Sequence, residues 1–481
     1  MAQTEMSDET RARVSSWAAA RGIDVAEGAQ PRLRCDAERY AGLRANRHAV
    51  LHLEDVSEIP FVSVIPGVER YQHRARVRAR TGDAFAAVTP LSPGYEDYCR
   101  KVLQLGEPQI VMAEPLETPT AVARACQSGD AWDAMVRWAR ARGTVAIHPY
   151  MAIEPVWELA AMLDREPGIE AFVVGPTTDA LWIANDKGAL DELIRIVLGD
   201  GCLMRTRASR DLDRIASLML RFADYQPFVG LKRTRCASAM GNAVFRSDEL
   251  RAAGPEAVRE RVGAFLARTE WDGSEDVLVV EWADTERSPS TQMWIPPHGS
   301  GAPLCEGVYD QLLEGPEKVF LGSRPSQLPT AVQRELRRVS MAVAAAFQTL
   351  GYVGRCSFDF IVMGDPRDQF SVRFTECNGR WGGTSTPMFL VDRIGWHDDG
   401  VRRPYHAQDF AHPDLVGMSF PELVERMKND LYDPRLGTGR FVLYNVGPLE
   451  NDGKFDIVSL GRTHEEAIEG ITDILPRRLG L

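Results

Sequence analysis

The chain has 481 residues, of which 44% are hydrophobic and 26% charged, and its formal net charge is −12. This composition is typical of a multi-domain globular protein, and the negative charge argues against non-specific nucleic-acid binding, which needs a broad positive surface. No apolar run approaches the ~18 residues of a membrane span, and the polar start lacks a signal peptide, so we expect a cytoplasmic protein without a membrane partner.

An arginine pattern follows the first apolar segment. Residues 47–68 predict one or two strands, and Arg74, Arg76, Arg78 and Arg80 then alternate with small apolar residues. Alternation with period two predicts a strand with four arginines on one face. Two interpretations stay open: a surface for a carboxylate-bearing substrate or acidic partner, and an edge strand charged against sheet extension.

Residues 90–174 predict helices and strands in alternation, with strands near 109–113, 144–148 and 171–174. This order indicates a parallel sheet with helices on its faces. The chain has neither a GxGxxG fingerprint after a strand nor a GxxxxGK[ST] loop, so a nucleotide must be bound in another way. Its eight cysteines form no CxxC pair, which predicts reduced thiols rather than a zinc site or a disulfide scaffold.

Two lysines mark the middle of the chain. Lys187 is the first residue of a predicted amphipathic helix over 187–198. By itself the segment is also typical of an ordinary helix start. Lys232 lies in an apolar strand, and a loop of small residues follows, including Ser238, Gly241 and Asn242. A lysine facing a cleft supplies a compact charge for phosphates, and small residues let backbone N–H groups approach them. A plain strand-to-helix connection is the alternative.

The segments that follow predict further strands, a loop and a helix. An apolar strand over 276–284 ends in an acid and includes Glu281, Trp282 and Ala283. Ser288 to Pro303 is rich in Ser, Pro and Gly, which indicates a mobile loop or one that contacts substrate. Residues 329–350 predict a helix packed on the sheet, residues 396–414 a surface loop, and the tail two strands and a helix.

Residues 350–387 predict a β-hairpin with unusual polar positions. Side-chain alternation places Arg355, Ser357 and Asp359 on one face of the first strand, and Phe374, Glu376, Asn378 and Arg380 on one face of the second. Two carboxylates and an amide oxygen suit Mg²⁺, which binds one or two carboxylates and completes its octahedron with phosphates and water. Arg380 and Arg355 suit a phosphoryl group, because a guanidinium donates parallel hydrogen bonds to an anion. The alternative is a structural salt bridge, Arg380 with Glu376 or Arg355 with Asp359.

The run from Glu376 to Arg380, with Asp359 on the preceding strand, resembles the metal-binding end of the ATP-grasp superfamily. The spelling TECNGRWGGTSTPM is most similar to peptide ligases of the pheganomycin type, which carry a pre-ATP-grasp domain. The resemblance implies ATP and Mg²⁺ as cofactors. It also implies that Lys187 introduces the lid domain, that Lys232 is the lid lysine before the phosphate loop, and that residues 281–283 form the adenine hinge.

We therefore predict an α/β protein with an ATP-grasp fold and an α+β lid. Its segments are a Rossmann-like pre-ATP-grasp domain over 1–185, a lid subdomain over 186–284 and a catalytic subdomain over 285–481. The implied activity is carboxylate–amine ligation through an acyl phosphate, with acid and amine substrates such as amino acids or peptides. The rivals are an ATP-grasp kinase and a non-catalytic ATP-binding protein, and a homodimer is an open alternative.

Overall fold

Three β-sheets and a two-stranded hairpin organise the chain. The computed structural model describes residues 6–23, 31–60, 62, 65–236, 241–283, 285–398 and 400–481. Each large sheet falls within one of the three predicted segments, whose boundaries stay a prediction. Within the described ranges, no helix is long and apolar enough to cross a membrane. All eight cysteines are free thiols.

The N-terminal sheet is parallel, as predicted, with strand order β3-β2-β1-β4-β5. Its strands are β1 (Ala49–Leu53), β2 (Ala84–Ala87), β3 (Gln109–Met112), β4 (Thr144–Pro149) and β5 (Glu170–Val173). The helices of this part are α1 (Asp8–Ala19), α2 (Ala37–Arg44), α3 (Tyr95–Asp97), α4 (Val122–Ala125), α5 (Gly129–Arg140), α6 (Glu154–Asp164) and α7 (Thr178–Asn185). The central strands are short and apolar because helices cover both faces of a parallel sheet.

The predicted arginine strand is wrong. Residues Val68–Arg78 form a 3₁₀ helix, and three of the four arginines are buried. Three residues per turn rotate every second side chain by roughly 240°, so these arginines point in three directions. Arg74 pairs with Glu54, Arg76 pairs with Glu96, and Arg78 donates to the carbonyls of Leu53 and Pro149.

The middle sheet is antiparallel, with order β6-β9-β7-β8. Its elements are α8 (Lys187–Leu198), β6 (Thr206–Ser209), α9 (Leu212–Ala223), β7 (Phe228–Arg233), β8 (Asn242–Arg246), α10 (Ser247–Arg268) and β9 (Val277–Glu281). The Asp186 side chain caps α8 by accepting from the N–H groups of Gly188 and Ala189. The cap fixes the point at which α8 begins and therefore the backbone position of Lys187, its first residue.

An eight-stranded antiparallel sheet follows, with order β14-β13-β10-β11-β12-β17-β19-β18. Its strands are β10 (Pro289–Ile295), β11 (Leu304–Glu314), β12 (Val319–Pro325), β13 (Gly354–Gly364), β14 (Phe370–Asn378), β17 (Tyr405–Ala411), β18 (Phe441–Tyr444) and β19 (Lys454–Leu460), while β15 (His397–Asp398) and β16 (Val401–Arg402) form the separate hairpin. The helices are α11 (Thr330–Thr349), α12 (Ser385–Arg393), α13 (Phe420–Met427), α14 (Leu449–Asp452), α15 (His464–Glu469) and α16 (Leu475–Leu479). Short 3₁₀ helices span Pro31–Leu33, Asp200–Cys202 and Pro413–Leu415, and π-helical turns span Tyr98–Val102 and Gly470–Ile474.

Two predicted loops are strands of this sheet. Residues 288–303 contain β10, which lies between β11 and β13 and buries Thr291 and Gln292. These polar side chains are satisfied inside the protein, Thr291 by Ser340 and Gln292 by Ser385, so their polarity does not indicate exposure. Residues 396–414 contain β17, whose polar positions face a cleft rather than bulk solvent.

Candidate active site

A cleft of about 470 Å³ is lined by the middle sheet, by the eight-stranded sheet and, from the N-terminal part, by residues between Val56 and Arg74 and by Tyr150. Its lining includes ten of the thirteen predicted site residues: Lys187, Lys232, Asn242, Glu281, Trp282, Ala283, Asp359, Glu376, Asn378 and Arg380. Of the other three, Ser238 lies outside the described residues, and neither Gly241 nor Arg355 lines the cleft. The predicted set is therefore largely one spatial cluster, although the roles assigned to it stay predictions.

The predicted hairpin is present as β13 and β14. Asp359 lies directly opposite Glu376, and Ser357 lies opposite Asn378. Directly opposite residues of an antiparallel pair share a face, so the two carboxylates are neighbours. The register shifts beyond Asp359, and the Phe374 ring packs 4.3 Å from the Phe360 ring in the core. The expectation that Phe374 shares a face with Glu376 is therefore wrong, because a bulge turns it away.

Asp359 is a buried carboxylate with spare bonding capacity. Its Oδ2 accepts a hydrogen bond from Asn378 Nδ2 at 2.9 Å. Its Oδ1 is buried and has no well-formed hydrogen bond in the part of the chain that the structure describes, although the Ser290 and Gln311 side chains lie near enough to oppose the rise in its pKa. Burial, and then the neighbouring charge of Glu376, raise the pKa of Asp359 to about 7. An additional cation here would relieve both effects.

Glu376 is held by a lysine. Lys187 Nζ lies 3.2 Å from Glu376 Oε2, and the Lys187 residue is only 6% exposed. Burial opposes ionisation of Glu376, but Lys187 and Lys232 together outweigh it and lower its pKa. The alternative of a structural salt bridge is wrong in both forms, since Glu376 pairs with Lys187 and Arg355 pairs with Glu306.

Lys232 faces the cleft from the lid strand β7, directly opposite Asn242 on β8. Its Nζ lies 5.3 Å from the centre of the Trp282 ring, and no carboxylate among the described residues forms an ion pair with it. Burial, followed by repulsion from Lys187 and partly offset by Glu376, lowers the pKa of Lys232. The Asn242 Oδ1 is also buried without a donor among those residues.

Gly241 lies directly before β8 and packs against Cys236 and Arg233. Its carbonyl accepts from the Arg233 N–H at 2.8 Å. A Cβ at this position would lie 2.6 Å from the Cys236 sulfur, so the close approach needs glycine. This packing shapes the start of β8 and places Asn242 opposite Lys232.

Residues 281–283 comprise the end of β9, the last strand of the middle sheet, and the two residues that follow it, and they line the cleft. The N–H of Glu281 donates to the Arg205 carbonyl, and the N–H of Trp282 donates to the Phe228 carbonyl. The Ala283 N–H has no backbone partner among the described residues. Apolar Leu278, Val280 and Met204 line the same end of the cleft. This end of the cleft could accommodate a flat apolar ring that accepts a hydrogen bond from the Ala283 N–H.

The two candidate arginines differ. Arg380 lines the cleft and donates from Nη1 to the Tyr150 hydroxyl at 3.3 Å and to the Trp381 carbonyl at 3.0 Å. Arg355 does not reach the cleft: it pairs with Glu306, and its guanidinium lies 4.7 Å from the centre of the Trp381 ring. Arg355 is therefore enclosed in a structural contact.

Sequence reasoning missed the far end of the cleft. It is lined by residues that the N-terminal part and strands β17, β18 and β19 contribute, among them Tyr71, Arg74, Tyr150, Asp409, Tyr444, Lys454 and Asp456. The available signal was a charged residue inside an otherwise apolar strand, as Asp456 is in KFDIVSL. The strand pairing that gathers these residues joins positions almost fifty residues apart, such as Asp409 and Asp456, which no local pattern reveals.

The metal prediction passes a chemical test. Asp359, Glu376 and Asn378 offer two carboxylates and an amide oxygen, and the free Asp359 Oδ1 is a ready ligand for a hard cation. No group of three or more His, Cys, Asp or Glu side chains is gathered as a metal site within the described ranges. The chain alone would thus fill only part of an octahedron, as expected for Mg²⁺ that also binds phosphates.

Comparison with known proteins identifies the fold. Residues 72–164 match the family model of the pre-ATP-grasp domain. The structure is similar to carboxyaminoimidazole ribonucleotide synthase from Aspergillus clavatus complexed with ATP (TM-score 0.52, 12% identity, 90% of this chain and 99% of that chain covered). It is also similar to N5-carboxyaminoimidazole ribonucleotide synthetase from Thermus thermophilus (TM-score 0.51, 15% identity, 89% and 97% covered). None of the curated proteins matches the chain.

A third similar structure is the biotin carboxylase domain of the Hydrogenobacter thermophilus 2-oxoglutarate carboxylase, in complex with MgADP, ADP and bicarbonate (TM-score 0.50, 14% identity, 88% of each chain covered). Together with the family-model match, these likenesses show that the chain has an ATP-grasp fold with a pre-ATP-grasp domain, which confirms the predicted fold class. The resemblance to the pheganomycin type stays a prediction.

Proposed function

We propose that the protein is an ATP- and Mg²⁺-dependent carboxylate–amine ligase that releases ADP and phosphate. One observation carries the proposal: buried Lys187, half-buried Lys232, two facing carboxylates and an arginine line a single cleft between the middle sheet and the eight-stranded sheet. The fold supports it, because similar folds occur in structures whose names report ATP or MgADP.

The lid end of the cleft suits a nucleotide. Lys232 has a face open to the cleft and no carboxylate partner among the described residues, so it is available to a phosphate. Lys187 is nearby, and the Ala283 N–H and apolar neighbours would hold the base. The small-residue turn that contains Gly241, with Ser238, would supply backbone donors to the phosphates.

Asp359, Glu376 and Asn378 would hold Mg²⁺ against those phosphates. The bound ion would neutralise negative charge on the phosphates and align them for transfer. Lys187 would then shift part of its attraction from Glu376 to the nucleotide. This chain thereby provides positioning and charge, which is most of what phosphoryl transfer requires from a protein.

Arg380 would orient the substrate carboxylate. Its Nη1 is fixed by the Tyr150 hydroxyl and the Trp381 carbonyl, which leaves the rest of the guanidinium directed toward an anion in the cleft. The same fork would stabilise the acyl phosphate that the amine attacks. No protein nucleophile is required in this scheme.

The finer assignment is formation of a peptide or amide bond in the biosynthesis of an amino-acid-derived natural product. It is supported by the TECNGRWGGTSTPM motif and by a cleft large enough for a nucleotide end and a separate substrate end. The resemblance to pheganomycin-type ligases supplies the substrate class, namely amino acids or peptides.

A screen of carboxylic acids, each with hydroxylamine or an amino acid as the amine, tests the proposal. We expect ADP, phosphate and a hydroxamate or amide to form only when acid and amine are both present. Release of AMP and pyrophosphate would contradict it and indicate an adenylate. A stable phosphorylated product without amine would support the kinase rival, and nucleotide binding without turnover across the screen would support a non-catalytic binder.

A further inference from the structure

The far end of the cleft carries a row of polar side chains on three neighbouring strands. Asp409 on β17 lies directly opposite Asp456 on β19, and Asp456 lies directly opposite Tyr444 on β18. All three line the cleft. Since directly opposite residues point to one face, the two carboxylates and the tyrosine form one wall.

Asp456 is the least satisfied group in this wall. The residue is 4% exposed, and its Oδ2 accepts from Asn445 Nδ2 at 3.0 Å. Its Oδ1 has no hydrogen-bond donor within the ranges the structure describes. Burial, reinforced by Asp409, raises the pKa of Asp456 well above its ordinary range. A buried, unpartnered oxygen that faces a cleft is built for a donor that comes from outside the chain.

The nearby cations are already committed to other carboxylates. Lys454 Nζ lies 2.7 Å from Asp409 Oδ2 and also donates to the Tyr71 hydroxyl at 2.7 Å. Arg74, which also lines the cleft, pairs with Glu54. Asp456 is thus the carboxylate of this end that has no cation of its own in the described structure.

We propose that Asp456, together with Asp409, forms a subsite for a primary ammonium group carried by one of the ligase substrates. An ammonium is a compact point charge that can donate to a single free carboxylate oxygen. A guanidinium prefers two parallel acceptors, and the second oxygen of Asp456 is occupied by Asn445. Tyr444 lines the cleft beside this position and would offer its ring to a cation, whereas the Tyr71 ring already contacts Arg74 and Lys454.

The cleft also has an apolar part in its lining. The residues before the 3₁₀ helix and at its start contribute Val56, Ile59, Val62, Ile65 and Val68. An apolar wall would cover the carbon chain that separates an ammonium from a carboxylate held at Arg380. The inference rests on the proposed function for the statement that the ammonium belongs to a ligase substrate.

Binding of matched carboxylic acids tests the subsite without turnover. The probes are ω-aminoalkanoates of increasing length, the corresponding plain alkanoates and the corresponding ω-guanidinoalkanoates, titrated calorimetrically into the full chain. We expect one amino acid of the series to bind about tenfold or more tightly than its plain counterpart, since a charged hydrogen bond is gained. Asp456→Asn should abolish that preference. Asp414→Asn, at an exposed position in the 3₁₀ helix that follows β17, is the matched control and should retain it.

Several results would overturn the subsite. Equal binding of amino and plain acids, no binding of any amino acid, tighter binding of the guanidino series, or an ammonium preference that survives Asp456→Asn each contradict it. Melting temperatures without ligand separate a structural role, because loss of folding would lower them in Asp456→Asn. Calorimetric binding of Mg·ATP to the wild-type protein is measured separately. Its failure would remove the ligase proposal while leaving an observed ammonium preference intact.

Discussion

The two ends of the cleft differ in the sign of the charge that lacks a partner among the described residues. At the lid end, Lys232 lacks a carboxylate partner among the described residues, and Lys187 shares Glu376 with it. At the far end, Asp456 lacks a cation, while Arg74 and Lys454 are paired elsewhere. At each end the proposed ligand would supply the missing counter-charge: phosphates for the lysines and an ammonium for the carboxylate.

The presence or absence of a partner on the chain distinguishes a structural charge from one that binds a ligand. A buried charge with a partner on the chain is consistent with a purely structural role, as Arg355 and Glu306 illustrate. A buried charge without such a partner costs folding free energy, and that cost is recovered when a ligand supplies the counter-charge. Substitution of each charged residue therefore tests whether it has a structural role or binds a ligand.

The largest effect should come from Asp359→Asn. The substitution preserves shape but removes a charge from the proposed metal set, so we expect turnover to fall by about a thousandfold. Folding should be retained, because removing one of two facing carboxylates relieves repulsion in the free protein. Steady-state kinetics and thermal melting, with Asp365→Asn in the exposed hairpin turn as control, check both parts. Activity within a few-fold of wild type would break the metal assignment.

Arg355→Met tests whether this arginine belongs to the site at all. Arg355 is 6% exposed and pairs with Glu306, so its loss should lower the free energy of unfolding by about 3 kcal/mol. Turnover per folded molecule should change little. Denaturant melts give the first quantity, and Arg338→Met, which breaks the surface pair with Glu335, should cost no more than about 0.5 kcal/mol. A stable but inactive Arg355→Met protein would return this arginine to the catalytic set.

Lys232→Met should weaken Mg·ATP binding by about tenfold or more, since a charged contact to phosphate is lost. The side chain has no ion pair in the described structure, so stability should be unchanged or slightly higher. Calorimetry measures the affinity, and Lys101→Met on the surface is the matched control. Unaltered nucleotide affinity would show that the lid lysine does not contact phosphate.

The smallest effect concerns the far end without ligand. The pKa of Asp456 is raised in the folded state, so the folded protein binds more protons than the unfolded chain above the ordinary carboxyl pKa of about 4. The resulting penalty is absent below that pH and grows as the pH rises, with Asp409 adding to it and Arg74 and Lys454 opposing it. Asp456→Asn should therefore stabilise the protein by about 1 kcal/mol at neutral pH and by less in acid. Destabilisation at neutral pH in urea melts would mean that Asp456 is a satisfied structural charge.

The cleft positions of Asp359, Glu376 and Lys232 could be predicted because local patterns report them, while their roles stay predictions. The alternation in β13 and β14 places Asp359 and Glu376 on one face, and the turn between them sets the pairing. Lys187 and Lys232 stand out as charges at the start of an amphipathic helix and inside an apolar strand. The parallel N-terminal sheet follows from alternating helices and strands in the same way.

The rest depends on contacts that are distant in sequence. The bulge that turns Phe374 into the core, and the pairing of Arg355 with Glu306, are set by neighbouring strands. Alternating arginines fit a strand equally well, but Glu54, Glu96 and the buried carbonyls make a 3₁₀ helix favourable. At the far end of the cleft, Arg74 lies near strands that come more than three hundred residues later in the chain. No local sequence periodicity encodes that proximity.

The most direct test of the ligase is the fate of a carboxylate oxygen. An acid found in the screen is labelled with oxygen-18 in its carboxylate and turned over with ATP and an amine, and the products are followed by ³¹P NMR. The account predicts ADP together with inorganic phosphate that carries one labelled oxygen, because the carboxylate attacks the terminal phosphoryl group before the amine displaces phosphate. Label in AMP with release of pyrophosphate, or phosphate without label, would contradict it.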